Sequence, residues 1–226
     1  MPGHPQFTVD ERVTMIERSL QQISLSGGSG LRLFVAVPES TIRGAVVVAP
    51  ESRSVTGVDR QLATGLAGEG WLAVIPDLFH SDTTEPLTEQ SVLADTGAVL
   101  GWLAQREVHA DRTGVVGFGL GGAVALLIAT QRELGAAVTV GGTGVVQPGA
   151  AGLPALVDVA PALRCPWLGI YGREGEVPEE EVRKLQDAAH SARVATDLVR
   201  CRFDADCCIA SEAWTRTLNW FGSHLR

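Results

Sequence analysis

Four segments of the sequence contain residues whose types and positions could support chemistry at a carbonyl group. "VVVAPE" ends at Glu51, "GREGEVP" contains Glu174, and "FDADCCIA" contains Cys207 and Cys208. Carboxylates can act as general acids or bases, and a thiolate can act as a nucleophile or a soft metal ligand. The fourth segment, "VVGFGLGG", places Gly119 in a glycine turn between a predicted strand and a predicted helix, where many hydrolases carry their nucleophile.

Each of these segments lies at or near one end of a predicted strand. A hairpin is predicted over residues 21–38, and further strands over residues 44–50, 71–79, 113–118, 136–142, 165–172 and 194–203. Five helices are predicted: one that follows Thr56, one over about residues 88–105, one that begins near Leu120, one from Pro178 to about His190, and one that follows Ser211. The alternation predicts an α/β fold with a mostly parallel, doubly wound sheet flanked by helices on both faces. Ligands of such sheets bind beyond the carboxyl ends of the strands.

The predicted helices have local sequence signals at their ends and along one face. Thr56 and Asp59 have the spacing of a capping box, and Val58, Leu62 and Leu66 are predicted to share one face of the helix that follows. The predicted helix over residues 88–105 has an apolar face, and a Gly/Pro/Ala-rich connection over residues 143–164 is expected to cover one mouth of the sheet. The face consists of Val92, Thr96, Val99, Leu100 and Leu103.

Composition and charge restrict the function classes. The 226 residues suit a single α/β domain, 1–226, with 1–19 as an N-terminal extension. The net charge of −8 and the absence of Lys/Arg clusters argue against nucleic-acid binding. No apolar segment is long enough to predict a membrane helix and no signal peptide is indicated, so we expect a cytoplasmic protein. The four cysteines include no CxxC pair, so neither a disulfide framework, a metal site nor a cofactor is predicted.

The segments named above together resemble the dienelactone hydrolase family of the α/β-hydrolase superfamily, from about Ile23 to Phe221. "VVVAPESRSVTGVDRQLATGLAGEGWLAVIPDLF" is similar to the family's first buried strand, its glutamate-containing loop and its Pro-Asp-Leu-aromatic strand end. "VVGFGLGGAVALLIAT" is similar to the nucleophile elbow, where the family has Gly-aromatic-Cys-Leu-Gly-Gly. "GREGEVP" resembles the acid loop and "DADCCIA" the histidine loop.

The resemblance implies a role for each matching position. The nucleophile falls on Gly119, the triad acid on Glu174 and the triad histidine on Cys207. Glu51 falls on the glutamate that lies beside the family's resting thiol and helps to activate it. The backbone amides of Ser52 and Leu120 fall on the two oxyanion donors, and His80 is the one histidine that this comparison brings near the cleft.

These substitutions are incompatible with a triad mechanism. Gly119 has no side chain, and a thiol at Cys207, with an ordinary pKa of about 8.5, cannot shuttle protons as imidazole does at neutral pH. Glu174 could still orient a base. Glycine adopts the positive φ of a nucleophile elbow with little strain, so we expect the turn to persist with the nucleophile's space vacated.

Four of the residues named above also have structural interpretations. Glu51 could simply hydrogen-bond the loop amides that follow it, and His80 could be an exposed loop histidine. Cys207 and Cys208 could fill the volume of a lost histidine, and this interpretation is favoured over a displaced nucleophile or a metal ligand.

The sequence predicts a dienelactone hydrolase-like protein that binds, without hydrolysing it, a small ligand with a carbonyl or carboxylate group, or a protein partner. The first alternative is an enzyme with altered acid/base chemistry, a lyase, cyclase or isomerase that uses Glu51 or Glu174. The second is ester or lactone hydrolysis by water that Glu51 activates. Function resides in the site and not in the fold, so the fold does not decide among them.

Overall fold

The computed structural model describes residues 17–25, 30–80, 87–149, 152–172, 177–201 and 212–225. The strands are β1 (Glu17–Ser24), β2 (Gly30–Val37), β3 (Gly44–Ala49), β4 (Trp71–Pro76), β5 (Thr113–Phe118), β6 (Ala136–Val140), β7 (Trp167–Gly172) and β8 (Thr196–Cys201). The helices are α1 (Gly57–Gly68), α2 (Glu89–Ala104), α3 (Gly119–Gln131), α4 (Leu156–Val159), α5 (Glu179–His190) and α6 (Glu212–His224). Each predicted strand is present, and the predicted hairpin is the antiparallel pair of β1 and β2.

The strands form one eight-stranded sheet in the order β1-β2-β4-β3-β5-β6-β7-β8. β1 and β2 run antiparallel to their neighbours, and all pairs from β3 and β4 to β8 are parallel. Every residue of β3, β4, β6 and β7 is buried, as expected for strands that are covered on both faces. The predicted doubly wound sheet is therefore confirmed.

Helices cover both faces of the sheet and bury two separate apolar clusters. α1 and α6 pack on one face, where Leu62, Leu66, Trp214 and Phe221 belong to the same cluster. α2, α3, α4 and α5 pack on the other face. α3 lies at the centre of its layer, and ten of its thirteen residues are buried. The predicted apolar face of α2 thus packs against this side of the sheet.

Two helices begin at the caps that the sequence indicates. The Thr56 hydroxyl accepts a hydrogen bond from the Asp59 amide at 3.2 Å, and the Asp59 carboxylate accepts one from the Thr56 amide at 2.8 Å. α5 begins directly after Pro178, and its first turn contains three glutamates. One predicted face residue is wrong, because Val58 is 54% exposed whereas Leu62 and Leu66 are buried. Val58 lies in the first turn of α1, before the buried residues of the helix, which begin at Leu62.

The connection over residues 143–164 contains regular structure that its composition did not predict. α4 and a 3₁₀ turn at Ala160–Ala162 lie within it, and the amide of Leu156 donates to the carbonyl of Gly144 at 3.0 Å. The connection also begins beside the glycine turn, since the Thr143 amide donates to the Gly119 carbonyl at 3.3 Å. Its residues pack against α3 and α5 on one face of the sheet.

The amino-terminal part of the described chain contributes an edge strand. β1 begins at Glu17, so its first three residues belong to the segment that the sequence assigns to an extension. Within the described ranges, no helix has the length and the apolar character needed to cross a membrane.

Candidate functional site at the carboxyl edge of the sheet

A sharp turn joins β5 to α3 at the centre of the sheet. Phe118 ends the strand with extended backbone, at φ −116°, and Gly119 follows at φ +51°. A φ in this left-handed region strains most residues other than glycine, by about 1–2 kcal/mol for an ordinary side chain. Gly119 therefore occupies the type of turn from which a nucleophile would project, and it does so without that strain.

The space above Gly119 is occupied by the carboxylate of Glu51. A Cβ atom built on Gly119 would contact Oε1 of Glu51 and would lie 2.9 Å from its Cδ and 3.3 Å from its Cγ. Real Cβ atoms do not approach carboxylates so closely, so a side chain at residue 119 and the present position of Glu51 exclude each other. The space that a side chain at residue 119 would fill thus contains a carboxylate.

The close approach of two neighbouring elements places Glu51 there. β3 pairs in parallel with β5, with Ala49 opposite Gly117, and Glu51 lies two residues beyond the end of β3. α3 crosses directly over the end of β3, because a Cβ on Gly121 would contact the Ala49 carbonyl oxygen and lie 3.0 Å from the Pro50 carbonyl oxygen. Glycine at residue 121 therefore allows the first turn of α3 to lie beside Glu51.

The carboxylate of Glu51 is exposed and makes no hydrogen bond or ion pair with any described residue. The interpretation of Glu51 as a side chain that holds the following loop amides is therefore not supported. Ser52 is also exposed, and its hydroxyl donates to the Ser54 carbonyl at 3.1 Å. Leu120 is half-buried in the first turn of α3.

His80 follows β4, the strand on the other side of β3, and contacts Asp95, a residue that no sequence motif indicates. Nε2 of His80 lies 2.8 Å from Oδ2 of Asp95, which is in α2 and is 2% exposed. Burial raises the pKa of Asp95, and the neighbouring His80 partly offsets this effect. The sequence does contain a signal that Asp95 is buried, because Asp95 lies three residues after Val92 and four before Val99, on the buried face of α2.

We refer to Glu51, Ser52, His80, Gly119 and Leu120 as the edge site. These residues follow three neighbouring strands, β4, β3 and β5, at the edge where the carboxyl ends of the parallel strands meet. Partial positive charge from the amides of α3 and negative charge from Glu51 therefore meet at one place.

Two expected site residues, Glu174 and Cys207, lie outside the described residues, as does Cys208. The described parts of the chain show where their segments start: β7 ends at Gly172 and β8 at Cys201, and these strands are hydrogen-bonded neighbours. The roles of Glu174 and Cys207 stay predictions.

The described cysteines do not supply a reactive thiol. Cys165 and Cys201 are both buried, and burial raises the pKa of the Cys165 thiol to about 12 and also raises that of Cys201. A thiol with such a pKa is protonated at neutral pH and is a poor nucleophile. The described ranges also contain no group of three or more side chains that could hold a metal ion.

The strand order, the helices on both faces and the glycine turn between β5 and α3 define an α/β-hydrolase fold. The sequence profile of the dienelactone hydrolase family matches residues 31–225. The chain therefore belongs to the dienelactone hydrolase family.

Named relatives and solved structures agree with this assignment. A Rhodococcus opacus protein named carboxymethylenebutenolidase is 29% identical over 77% of this chain and 73% of its own length. A Salmonella typhi protein provisionally given the same name is 28% identical over 88% of this chain and 85% of its own length. A Klebsiella pneumoniae structure, provisionally named a dienelactone hydrolase, superposes with a TM-score of 0.77 at 26% identity, covering 91% of this chain and 99% of that one.

Proposed function

We propose that this chain binds a small, neutral carbonyl compound at the edge site and does not form a covalent intermediate with it. The proposal is carried by the carboxylate of Glu51, which occupies the space above Gly119 that a nucleophilic side chain needs. Nucleophilic catalysis needs an attacking atom on the elbow residue, and glycine provides none. The neighbours of Gly119 in the chain, Phe118 and Leu120, are chemically inert. Together with Cys207 at the position of the histidine, this gives a degenerate triad.

The charges at the edge site favour a carbonyl ligand over an anionic one. The amides in the first turn of α3 and of Ser52 can donate hydrogen bonds to a carbonyl oxygen. A ligand carboxylate in the same place would lie next to the carboxylate of Glu51. Two like charges about 4 Å apart near a protein surface repel by up to about 4 kcal/mol. Of the two ligand classes expected from the sequence, the structure therefore favours the neutral carbonyl compound.

Binding and acylation are measured separately to test this proposal. Relatives named for butenolide chemistry make an unsaturated five-membered lactone the first probe, with a matched unsaturated carboxylate as the anionic comparison. We expect the lactone, and not the carboxylate, to raise the thermal midpoint of the wild type. In Glu51→Gln the carboxylate should bind as well and raise the thermal midpoint. Intact-mass measurement after incubation with an activated aryl ester should detect no acyl adduct. An acyl adduct on the wild-type chain, or a burst of released phenol, would overturn the proposal.

A second candidate is hydrolysis of an ester or lactone by water that Glu51 activates. It is favoured by a specific observation, namely that the exposed carboxylate of Glu51 makes no hydrogen bond or ion pair with the described residues. Such a carboxylate is available to accept a proton from water or from a carbon acid. The same group could serve a lyase, cyclase or isomerase, because proton transfer by a carboxylate needs no nucleophile.

Substitution of Glu51 distinguishes the second candidate from the first. Rates with aryl esters and lactones are compared with buffer for the wild type, Glu51→Gln, Glu174→Gln and the control Glu69→Gln. Glu69 is an exposed residue between α1 and β4, at the amino-terminal end of β4 and so at the other end of this strand from the edge site. Turnover above buffer that Glu51→Gln removes and Glu69→Gln retains would establish the second candidate in place of the first. Loss of turnover in Glu174→Gln as well would assign Glu174 a role.

A further inference from the structure

The His80–Asp95 pair has the geometry of an oriented imidazole. Nε2 of His80 and Oδ2 of Asp95 are 2.8 Å apart, which is the length of a strong hydrogen bond. The partners come from different elements, since His80 follows β4 and Asp95 lies in the second turn of α2. In a neutral histidine whose one nitrogen donates to a carboxylate, the tautomer is fixed, and the other nitrogen is a hydrogen-bond acceptor with a fixed direction.

Burial makes His80 the main partner of the Asp95 carboxylate. Asp95 is only 2% exposed, so water cannot satisfy the carboxylate as it does at the surface. His80 is the one hydrogen-bond partner of the Asp95 side chain among the described residues. The other nearby charge is Asp77, which raises the pKa of Asp95 further and which itself pairs with Arg32 at 2.8 Å.

The backbone of His80 lies in the left-handed region, which is uncommon for a residue with a side chain. His80 has a φ of +45°, and among the described non-glycine residues only Glu107 also has a positive φ. A non-glycine residue in this region persists only where its surroundings hold it, and such residues concentrate at functional sites. The side chain is 30% exposed, and Nδ1 has no hydrogen-bond partner among the described residues. The imidazole is therefore tied at one nitrogen and open at the other.

The strand order brings this imidazole to the same edge as Glu51. β4 and β3 are hydrogen-bonded neighbours, with Val74 opposite Val47, and paired strands lie about 4.8 Å apart. His80 follows the first of these strands and Glu51 the second. We propose that His80 is the proton-accepting residue of the edge site, with Asp95 as the positioning residue that keeps its Nδ1 unprotonated and open to the ligand.

This proposal rests on the proposed function for its ligand and makes that ligand more specific. The amides of Ser52 and Leu120 would donate hydrogen bonds to the carbonyl oxygen, and Nδ1 of His80 would accept a proton or a hydrogen bond from the same molecule. The ligand class that satisfies both is a neutral lactone or ketone with a hydroxyl or enol group near its carbonyl. A triad places its oriented histidine on the loop after the last strand, where this chain has Cys207; here the oriented imidazole follows β4.

The first measurement concerns the tautomer and needs no ligand. Two-bond proton–nitrogen correlation spectra of the histidine rings should show His80 with Nε2 protonated and Nδ1 unprotonated near neutral pH. Asp95→Asn should abolish this preference and yield a mixture, whereas the matched control His109→Gln, at an exposed histidine, should leave the His80 signals unchanged. A proton on Nδ1 in the wild type would overturn the proposal.

The second measurement compares two lactone probes, one with a hydroxyl group beside the carbonyl and one without. His80→Asn is the variant of choice, because asparagine tolerates the positive φ and so preserves the fold. We expect this variant to bind the hydroxylated lactone roughly three- to tenfold more weakly than the wild type does, as the loss of one hydrogen bond predicts. Its affinity for the other lactone should be unchanged. Asp95→Asn should also lower the affinity for the hydroxylated lactone.

The two proposals fail in different ways. If both lactones bind the wild type and His80→Asn alters neither affinity, the role of His80 is overturned and the proposed function stands. If neither lactone binds, the proposed function fails, and the tautomer measurement alone decides whether Asp95 orients His80 as proposed.

Discussion

At the scale of single residues, Gly119 and Glu51 share one volume. The left-handed backbone of Gly119 and the carboxylate above it are compatible only because residue 119 lacks a Cβ atom. The carboxylate is exposed, so it can leave this position if another group competes for it. The first prediction measures that competition.

Gly119→Ala should lower the free energy of unfolding by about 1–3 kcal/mol, because alanine is strained at φ +51° and its Cβ must displace Glu51. Glu51→Ala alone should change it by less than about 0.5 kcal/mol, since an exposed side chain with no hydrogen bond is removed. In the double variant only the backbone strain should remain, so the effects should be less than additive. Urea unfolding of the four chains gives the coupling; strict additivity would mean that Glu51 does not occupy the space above Gly119.

The second residue-scale prediction concerns Asp95 and pH. Burial raises the pKa of Asp95 in the folded chain, so the folded state binds this proton more tightly than the unfolded state does. The stabilising effect of the proton is complete below the unfolded pKa and is lost as the pH rises through the higher folded value. The wild type should therefore gain stability relative to Asp95→Asn as the pH falls from 7 toward 4. Urea unfolding of both chains at stepped pH measures the difference, and a difference that moves the other way contradicts the prediction.

The residues of the edge site differ in how far the sequence predicted them. Gly119, Glu51 and Ser52 follow from motifs that are local in the chain, because a strand, a turn and a helix in succession fix their positions. The contact between His80 and Asp95 could not be predicted in this way, since it depends on how α2 docks beside β4. The position of the Glu51 carboxylate likewise depends on the distance between β3 and α3, which no local pattern contains.

At the scale of elements, the crossing of α3 over the end of β3 determines the geometry of the edge site. Alternation of strand and helix patterns was sufficient to predict β3, β5 and α3, because β3 is an unbroken apolar segment and the glycine turn marks the junction of β5 with the apolar helix α3. α4 was not predicted, since its four residues are too few for a helical period. Val58 was misassigned because helical spacing shows which residues share a face and does not show which of them neighbouring elements bury.

The third prediction tests this crossing with two glycines in different helices. Gly121→Ala should destabilise the chain by about 3 kcal/mol, because the new Cβ would contact the backbone carbonyl of Ala49, which cannot move without separating α3 from β3. Gly101→Ala in α2 is the matched control: it has no atom within 4 Å of a new Cβ and should stabilise the chain by about 0.5–1 kcal/mol. Chemical unfolding measures both, and equal effects would show that α3 does not cross β3 at this distance.

At the scale of the whole molecule, the sheet has a polar edge strand next to an apolar one. β1 contains no buried residue, and Leu20 on it is 79% exposed. β2 contributes five buried residues and pairs with β1 along its outer side. The family profile begins only at residue 31, within β2. The family profile therefore begins where the apolar part of this sheet begins, and β1 pairs along the outer side of β2. The expected protein partner stays a prediction.

The last prediction follows from this arrangement. A chain that lacks residues 1–25 should retain its helical and strand signals, because none of residues 17–25, the described part of the removed segment, is buried. It should also have a lower thermal midpoint and should self-associate. Without β1, the backbone donors and acceptors along the outer side of β2 are unpaired and can pair with another chain. Circular dichroism and sedimentation velocity over a range of concentrations measure these effects. A chain that lacks only residues 1–16 is the control and should behave like the full chain, because β1 remains. If the shorter chain is unfolded, β1 contributes to the core more than its exposure indicates; if it is folded and remains monomeric, the edge of β2 does not need β1 to prevent association.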